Sequence, residues 1–124
     1  MQNPFNGYSP GEAQLPLTET KTAPSIASGV LTLDCALGNV FVVALTETIT
    51  SVVFNNVPSD AYAMTVYFIG NGTLYAITWP ASVIPDGGTA PDMPSTNGTK
   101  GRVTIDTYDG GIEWQLKGAG LDFS

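Results

Sequence analysis

The sequence predicts an all-β fold, an antiparallel β-sandwich of about seven short strands with jelly-roll or Greek-key connections, preceded by an extended N-terminal arm. Three observations carry that prediction. From Gly29 onward apolar residues recur with a period of two, the spacing that puts alternate side chains of a strand on one buried face. No window longer than about eight residues shows the 3.6-residue apolar period of an amphipathic helix. Gly, Pro, Asn and Asp cluster between the alternating runs, as turns require.

Residues 1–28 contain Pro4, Pro10, Pro16 and Pro24, with Gly7 and Gly11 among them. Proline removes a backbone donor and pushes the preceding residue toward extended geometry, so neither a helix nor a central strand fits. The reading is an extended arm over 1–28 and a single β domain over 29–124. Phe5, Tyr8, Leu15 and Leu17 are few and separated, the pattern of anchors laid on another surface. A loose terminus is the plainer alternative.

Strands are expected near 30–35, 40–45, 48–55, 62–69, 73–79, 101–108 and 112–117, around a core of Leu33, Val43, Val66, Phe68, Ile77, Val103, Ile105, Trp114 and Leu116. The second of these is apolar on both sides, with Val40 and Val42 opposite Phe41 and Val43, which marks a central strand. Gly38-Asn39 is the turn expected between the first two. Ile49, Val53 and Phe54 are the apolar members of 48–55, and in 62–69 Met64, Val66 and Phe68 face away from Tyr67 and Ile69. Asn71-Gly72 is a strong hairpin signal, because both central residues of a type I′ turn need positive φ, so 62–69 and 73–79 are expected to be antiparallel neighbours. A second hairpin is expected across Asp109-Gly110-Gly111, with Val103, Ile105, Thr107, Ile112, Trp114 and Leu116 inward and Glu113, Gln115 and Lys117 outward.

Charged residues make up 12 % of the chain and apolar ones 43 %, a composition that folds rather than one that stays disordered. The net charge is -7, and only Lys21, Lys100, Arg102 and Lys117 are cationic, which is too few for a phosphate-binding stripe; nucleic acid is not an expected partner. Cys35 is the one cysteine, so no intrachain disulfide forms, and a buried inert thiol is expected there. The first residues lack a basic stretch followed by an apolar run, and no apolar stretch approaches the ~20 residues of a membrane span, so synthesis in the cytoplasm without membrane insertion is expected.

There is no histidine, which removes the usual general base, the usual zinc ligand and Ser-His or Cys-His nucleophiles. Asp86, Asp92, Asp106 and Asp109 are the acids to consider for a glycosidase pair or a calcium site. Asp86, Asp92 and Asp109 adjoin Gly or Pro, where aspartate serves turns, and no D-x-D-x-D-G run is present. No cofactor, metal or catalytic role is expected. Asn71-Gly72-Thr73 and Asn97-Gly98-Thr99 match the glycosylation pattern but read better as turns. Trp79 and Trp114 are core or interface anchors, with a sugar-stacking platform as the alternative.

One long stretch adds a resemblance. The run from Gly38-Asn39-Val40-Phe41 through Ile77-Thr78-Trp79-Pro80-Ala81-Ser82-Val83 and Gly87-Gly88-Thr89-Ala90-Pro91 to Tyr108-Asp109-Gly110-Gly111 and Trp114 resembles a module of tailed-bacteriophage virion proteins. Ile84-Pro85-Asp86 stands where the usual version has a tryptophan before Pro-Gly-Gly. The resemblance implies a non-enzymatic β-sandwich that trimerises on virions, as a capsid decoration protein or a tail-fibre tip. The short chain favours the decoration reading, a homotrimer on the capsid surface whose arm, through Phe5, Tyr8, Leu15 and Leu17, binds the major capsid protein. The alternative is a receptor-binding module in which the 80–98 loop, with Pro85, Asp86, Thr89, Asp92 and Met93 at its surface, meets a host glycan.

Overall fold

The computed structural model describes residues 19–124, so Phe5, Tyr8, Leu15 and Leu17 lie outside the described residues. Among those described the fold is all-β. Eight strands run β1 (Lys21–Thr22), β2 (Val30–Asp34), β3 (Val40–Ala44), β4 (Ser51–Asn55), β5 (Tyr62–Ile69), β6 (Val83–Pro85), β7 (Lys100–Thr107) and β8 (Trp114–Phe123), and a short 3-10 turn at Asp86–Gly88 follows β6.

Six strands form one sheet in the order β1-β3-β5-β7-β8-β6, while β2 and β4 pair separately. The chain alternates between the sheets through its first five strands, so strands consecutive in sequence lie in different sheets. Neighbours within each sheet then run parallel: β1 with β3, β3 with β5 and β2 with β4. The expected antiparallel pairing holds for β5 with β7 and β7 with β8, and β6 joins β8 in parallel. The sheets are therefore mixed, which corrects the uniformly antiparallel expectation.

The turn before β3 shows why no hairpin closes there. The Cys35 amide donates to the Asn55 carbonyl (2.9 Å), continuing the β2–β4 ladder, whereas the Asn39 and Val40 amides both donate to the Thr20 carbonyl (3.1 Å) beside β1. Backbone groups on the two sides of the turn are satisfied by different sheets, leaving none to pair β2 with β3. Gly38-Asn39 is thus a crossing between sheets.

The Asn-Gly hairpin is also corrected. Asn71 makes its turn, accepting a hydrogen bond from the Thr73 amide (3.3 Å), but both edges of β5 are already taken by β3 and β7. Gly70 and Gly72 donate to the carbonyls of Thr99 (2.8 Å) and Ser95 (2.8 Å). A side chain at Gly70 would meet the Thr96 carbonyl at 2.6 Å, so only glycine lets these backbones approach. Residues 73–79 leave β5 and touch the segment before β4 through an Ile49–Ile77 bridge, with the Ile49 amide on the Ala76 carbonyl and the Thr78 amide on the Ile49 carbonyl. They form no strand.

Buried residues from both sheets join in one hydrophobic cluster. Leu33, Val43, Val66, Phe68, Val103, Ile105, Trp114 and Leu116 are buried as expected, and Ile77 is half-buried. The cluster also takes Val52, Val83 and Met93, and Ile26 from the stretch read as arm. Val53, expected among the apolar members of its strand, points outward, since Val52 holds the inward position of β4.

Ile112 was expected inward and is 79 % exposed. The reason is local hydrogen bonding that extends the turn to residue 113. Thr107 Oγ1 donates to Asp109 Oδ1 (2.8 Å) and accepts from the Gly111 amide (3.0 Å), and the Glu113 amide donates to Asp109 Oδ1 (3.1 Å). These bonds, that from Glu113 foremost and then that from Thr107, hold the Asp109 carboxyl below its ordinary value of 3.8. A lowered folded value means the contribution to stability is present above the ordinary carboxylate range and is lost as pH falls through the folded one. Thermal unfolding of Asp109→Asn between pH ~5 and ~2 should accordingly show a shallower acid dependence than the parent. Parallel curves for the two proteins would mean that the Asp109 carboxylate does not support this turn.

Candidate functional site

The residues expected at the surface of the 80–98 loop separate into two places. Pro85 ends β6 and Asp86 starts the 3-10 turn; Gly87 and Gly88 then reverse the chain at φ 69° and 81°, with open space where side chains would be. Thr89 and Asp92 are exposed. Met93 is not a surface residue: it is 7 % exposed and belongs to the core. The loop folds back over the core face of β7 and β8, where a side chain at Gly118 would run into Pro91 (3.2 Å) and one at Gly101 into Pro94 (2.9 Å). The two glycines leave room on the strand surface for the two prolines, and Met93 between them joins the core.

On the opposite face of the six-stranded sheet, β5, β7, β8 and β6 floor a groove of about 690 Å³. Strand register arranges its side chains in rows. Ala63, Asp106, Gln115 and Ile84 are successive partners across the four strands, and Thr65, Thr104 and Lys117 form the next row. Partners in a row lie ~4.8 Å apart and the rows about 7 Å apart, as pleated geometry dictates. Ile84 to Gly87 wall one side, and Glu19 and Asn39 stand at the other, joined by a hydrogen bond from Asn39 Nδ2 to Glu19 Oε2 (3.1 Å). Asp86 and Asp106, assigned from sequence to separate turn and strand contexts, line this one groove.

Farther along that face β3 and β5 carry apolar side chains, with Arg102 and Lys100 of β7 paired beside Tyr67 and Ile69. Val42 pairs with Tyr67 and Ala44 with Ile69, all on the side away from the buried Phe41, Val43, Val66 and Phe68. Val40, Val42, Tyr67 and Ile69 are each half-buried. One sheet face thus carries an apolar strip on β3 and β5 beside a polar groove on β7 and β8.

The tryptophans differ. Trp114 is 1 % exposed, stacked on Phe54 (centroids 4.3 Å, 19°) and edge-on to Tyr62 (6.4 Å, 86°). Trp79 is half-buried, edge-on to Phe68 (6.4 Å, 80°), and among the described residues its indole Nε1 has no hydrogen-bond partner. Cys35 is half-buried; burial pushes its thiol above the ordinary value, with a hydrogen bond to Tyr62 opposing in part. Among the described residues no three His, Cys, Asp or Glu side chains gather as a metal set.

Sequence reasoning missed the groove as a unit. Its signal was present in the outward positions between Val103 and Ile105 and between Trp114 and Leu116. Joining them to Ala63 and Thr65 required knowing that β5 and β7 are neighbours. No protein-family model, curated protein or solved structure significantly matches the chain.

Proposed function

We propose that this chain is a non-enzymatic virion structural protein of a tailed bacteriophage, a capsid decoration protein that forms a trimeric knob and holds the head through its N-terminal arm. In this reading the two sheets, sharing one core, are the layers of a β-sandwich. The observation that carries the assembly is the apolar strip of Val40, Val42, Tyr67 and Ile69 on a sheet face that a lone domain would leave wet. Symmetric oligomers bury such second faces, and a 13.0 kDa unit gains core by doing so. The TWPASV and GGTAP runs of the virion-module resemblance support the setting.

Sedimentation of the isolated protein should give a trimer at micromolar concentration. Tyr67→Glu, which sets a charge in the strip, should shift it to monomer without loss of fold. A parent protein that stays monomeric there would remove the strip from the assembly. The second reading, a tail-fibre tip or receptor-binding module, is favoured by the polar groove. Copy number separates the two, since a decoration protein co-purifies with filled heads at fixed high occupancy and a fibre tip is scarce.

A further inference from the structure

We propose that the groove between the β5–β7–β8 face and the Ile84–Gly87 wall binds a short neutral oligosaccharide. This deepens the second reading by naming a ligand class and a place, and it differs from the loop-tip site expected from sequence, because of Pro85, Asp86, Thr89, Asp92 and Met93 only the first two line the groove.

The chemistry of the lining selects the class. Asp106 supplies acceptors, Lys117 donors, and Thr65, Thr104 and Gln115 both, on a grid fixed by the backbone ladders of three paired strands. A sugar hydroxyl is itself donor and acceptor, so a polyhydroxylated chain can use every position of such a mixed grid. One amide hydrogen of Gln115 is committed to Glu113 Oε1 (3.0 Å), which orients the rest of that amide toward a fixed direction. Ile84 and Ala63, both exposed, offer aliphatic surface to the C–H faces of the rings.

Charge and size narrow the choice. Glu19, Asp86 and Asp106 outnumber Lys117 in the lining, so anionic glycans, phosphates and nucleic acid meet net repulsion. The floor spans about 15 Å across its four strands, and the volume falls within the ~300–1,000 Å³ of small-molecule sites, which suits a few linked rings rather than one. A peptide would need apolar pockets for its anchoring side chains or a free strand edge to extend, whereas this floor is the face of a sheet. Among the described residues the lining contains no aromatic ring, so affinity should be weak, with Kd on the order of 0.1–1 mM.

The test is a 15N–1H NMR titration of the full chain with glucose oligomers and N-acetylglucosamine oligomers of three to six units, beside galacturonic acid oligomers of equal length. Amide shifts confined to residues 63–65, 84–87, 104–106 and 115–117 with a neutral series, and at least about tenfold weaker binding of the acidic series, are expected. Asp106→Ala and Thr104→Glu, both at exposed positions, should each weaken binding about tenfold or more while the spectra keep their dispersion. The proposal is overturned if neither neutral series shifts any amide at ~10 mM, if the shifts map to another face, or if the acidic series binds as well. Because the titration uses free protein, its failure leaves the copy-number test of the tail-fibre reading standing.

Discussion

Replacing Trp114 with alanine should lower folding stability by about 3–5 kcal/mol, the range for losing a large aromatic from a packed core. The ring is 1 % exposed, lies flat on Phe54, and meets the edge of Tyr62, so the sites around it belong to β4, β5 and β8 at once. Those strands come from both sheets. A cavity here would remove the bulkiest fully buried side chain from a place where strands of both sheets meet, and the surrounding strands are too constrained by their ladders to collapse into it. Chemical denaturation measures the effect, and Trp114→Phe should recover a substantial part. A loss under about 1 kcal/mol for the alanine variant would mean that Trp114 does not hold the two sheets together.

Deleting residues 2–18 should abolish incorporation into particles while leaving the thermal midpoint within about 2 °C of the parent. In the proposed decoration role Phe5, Tyr8, Leu15 and Leu17 are anchors on the major capsid protein, so their removal acts on binding and not on the domain. The cut must stop at residue 18. Lys21 and Thr22 pair with Val40 and Phe41, and Ile26 is 8 % exposed in the core, so a deletion running through residue 24 also removes β1 and should lower stability. Particles assembled with the 2–18 deletion and counted by quantitative gel or cryo-EM occupancy decide the matter. Full occupancy would move head binding from the arm to the folded domain. If the protein is instead a receptor-binding module, the deletion leaves glycan or cell binding by the free protein intact.

What the sequence disclosed and what it hid divide along one physical line. Period-two alternation reports which side of a strand is buried, and on that question Leu33, Val43, Val66, Phe68, Val103, Ile105, Trp114 and Leu116 all lie in the core. It does not report which strand lies alongside. Gly38-Asn39 and Asn71-Gly72 carry hairpin composition, yet the amides around them are satisfied by Thr20 and by Ser95 and Thr99, partners far off in sequence. Turn residues encode a change of direction, and the destination is set by which strand edges remain unpaired once the sheet has formed. Met93 shows the same limit on a smaller scale: an apolar residue between two prolines in a Gly-rich stretch reads as surface, yet the prolines on either side of it seat against Gly118 and Gly101 of distant strands and Met93 joins the core. The groove was legible residue by residue as outward positions, but its rows exist only through the pairing of β5 with β7.

The two outermost strands of the six-stranded sheet are its shortest, β1 with two residues and β6 with three. Pro85 removes a donor from β6 at the point where the chain turns into Asp86–Gly88. β6 covers only Trp114 to Leu116 of β8, so among the described residues the outer side of β8 from Lys117 to Phe123 pairs with no strand, and a bare edge of that kind is the route by which β-proteins polymerise. Under the proposed crowding of copies on one particle, the charges of Lys117 and Asp122, both exposed along that edge, are what opposes open-ended fibre growth there.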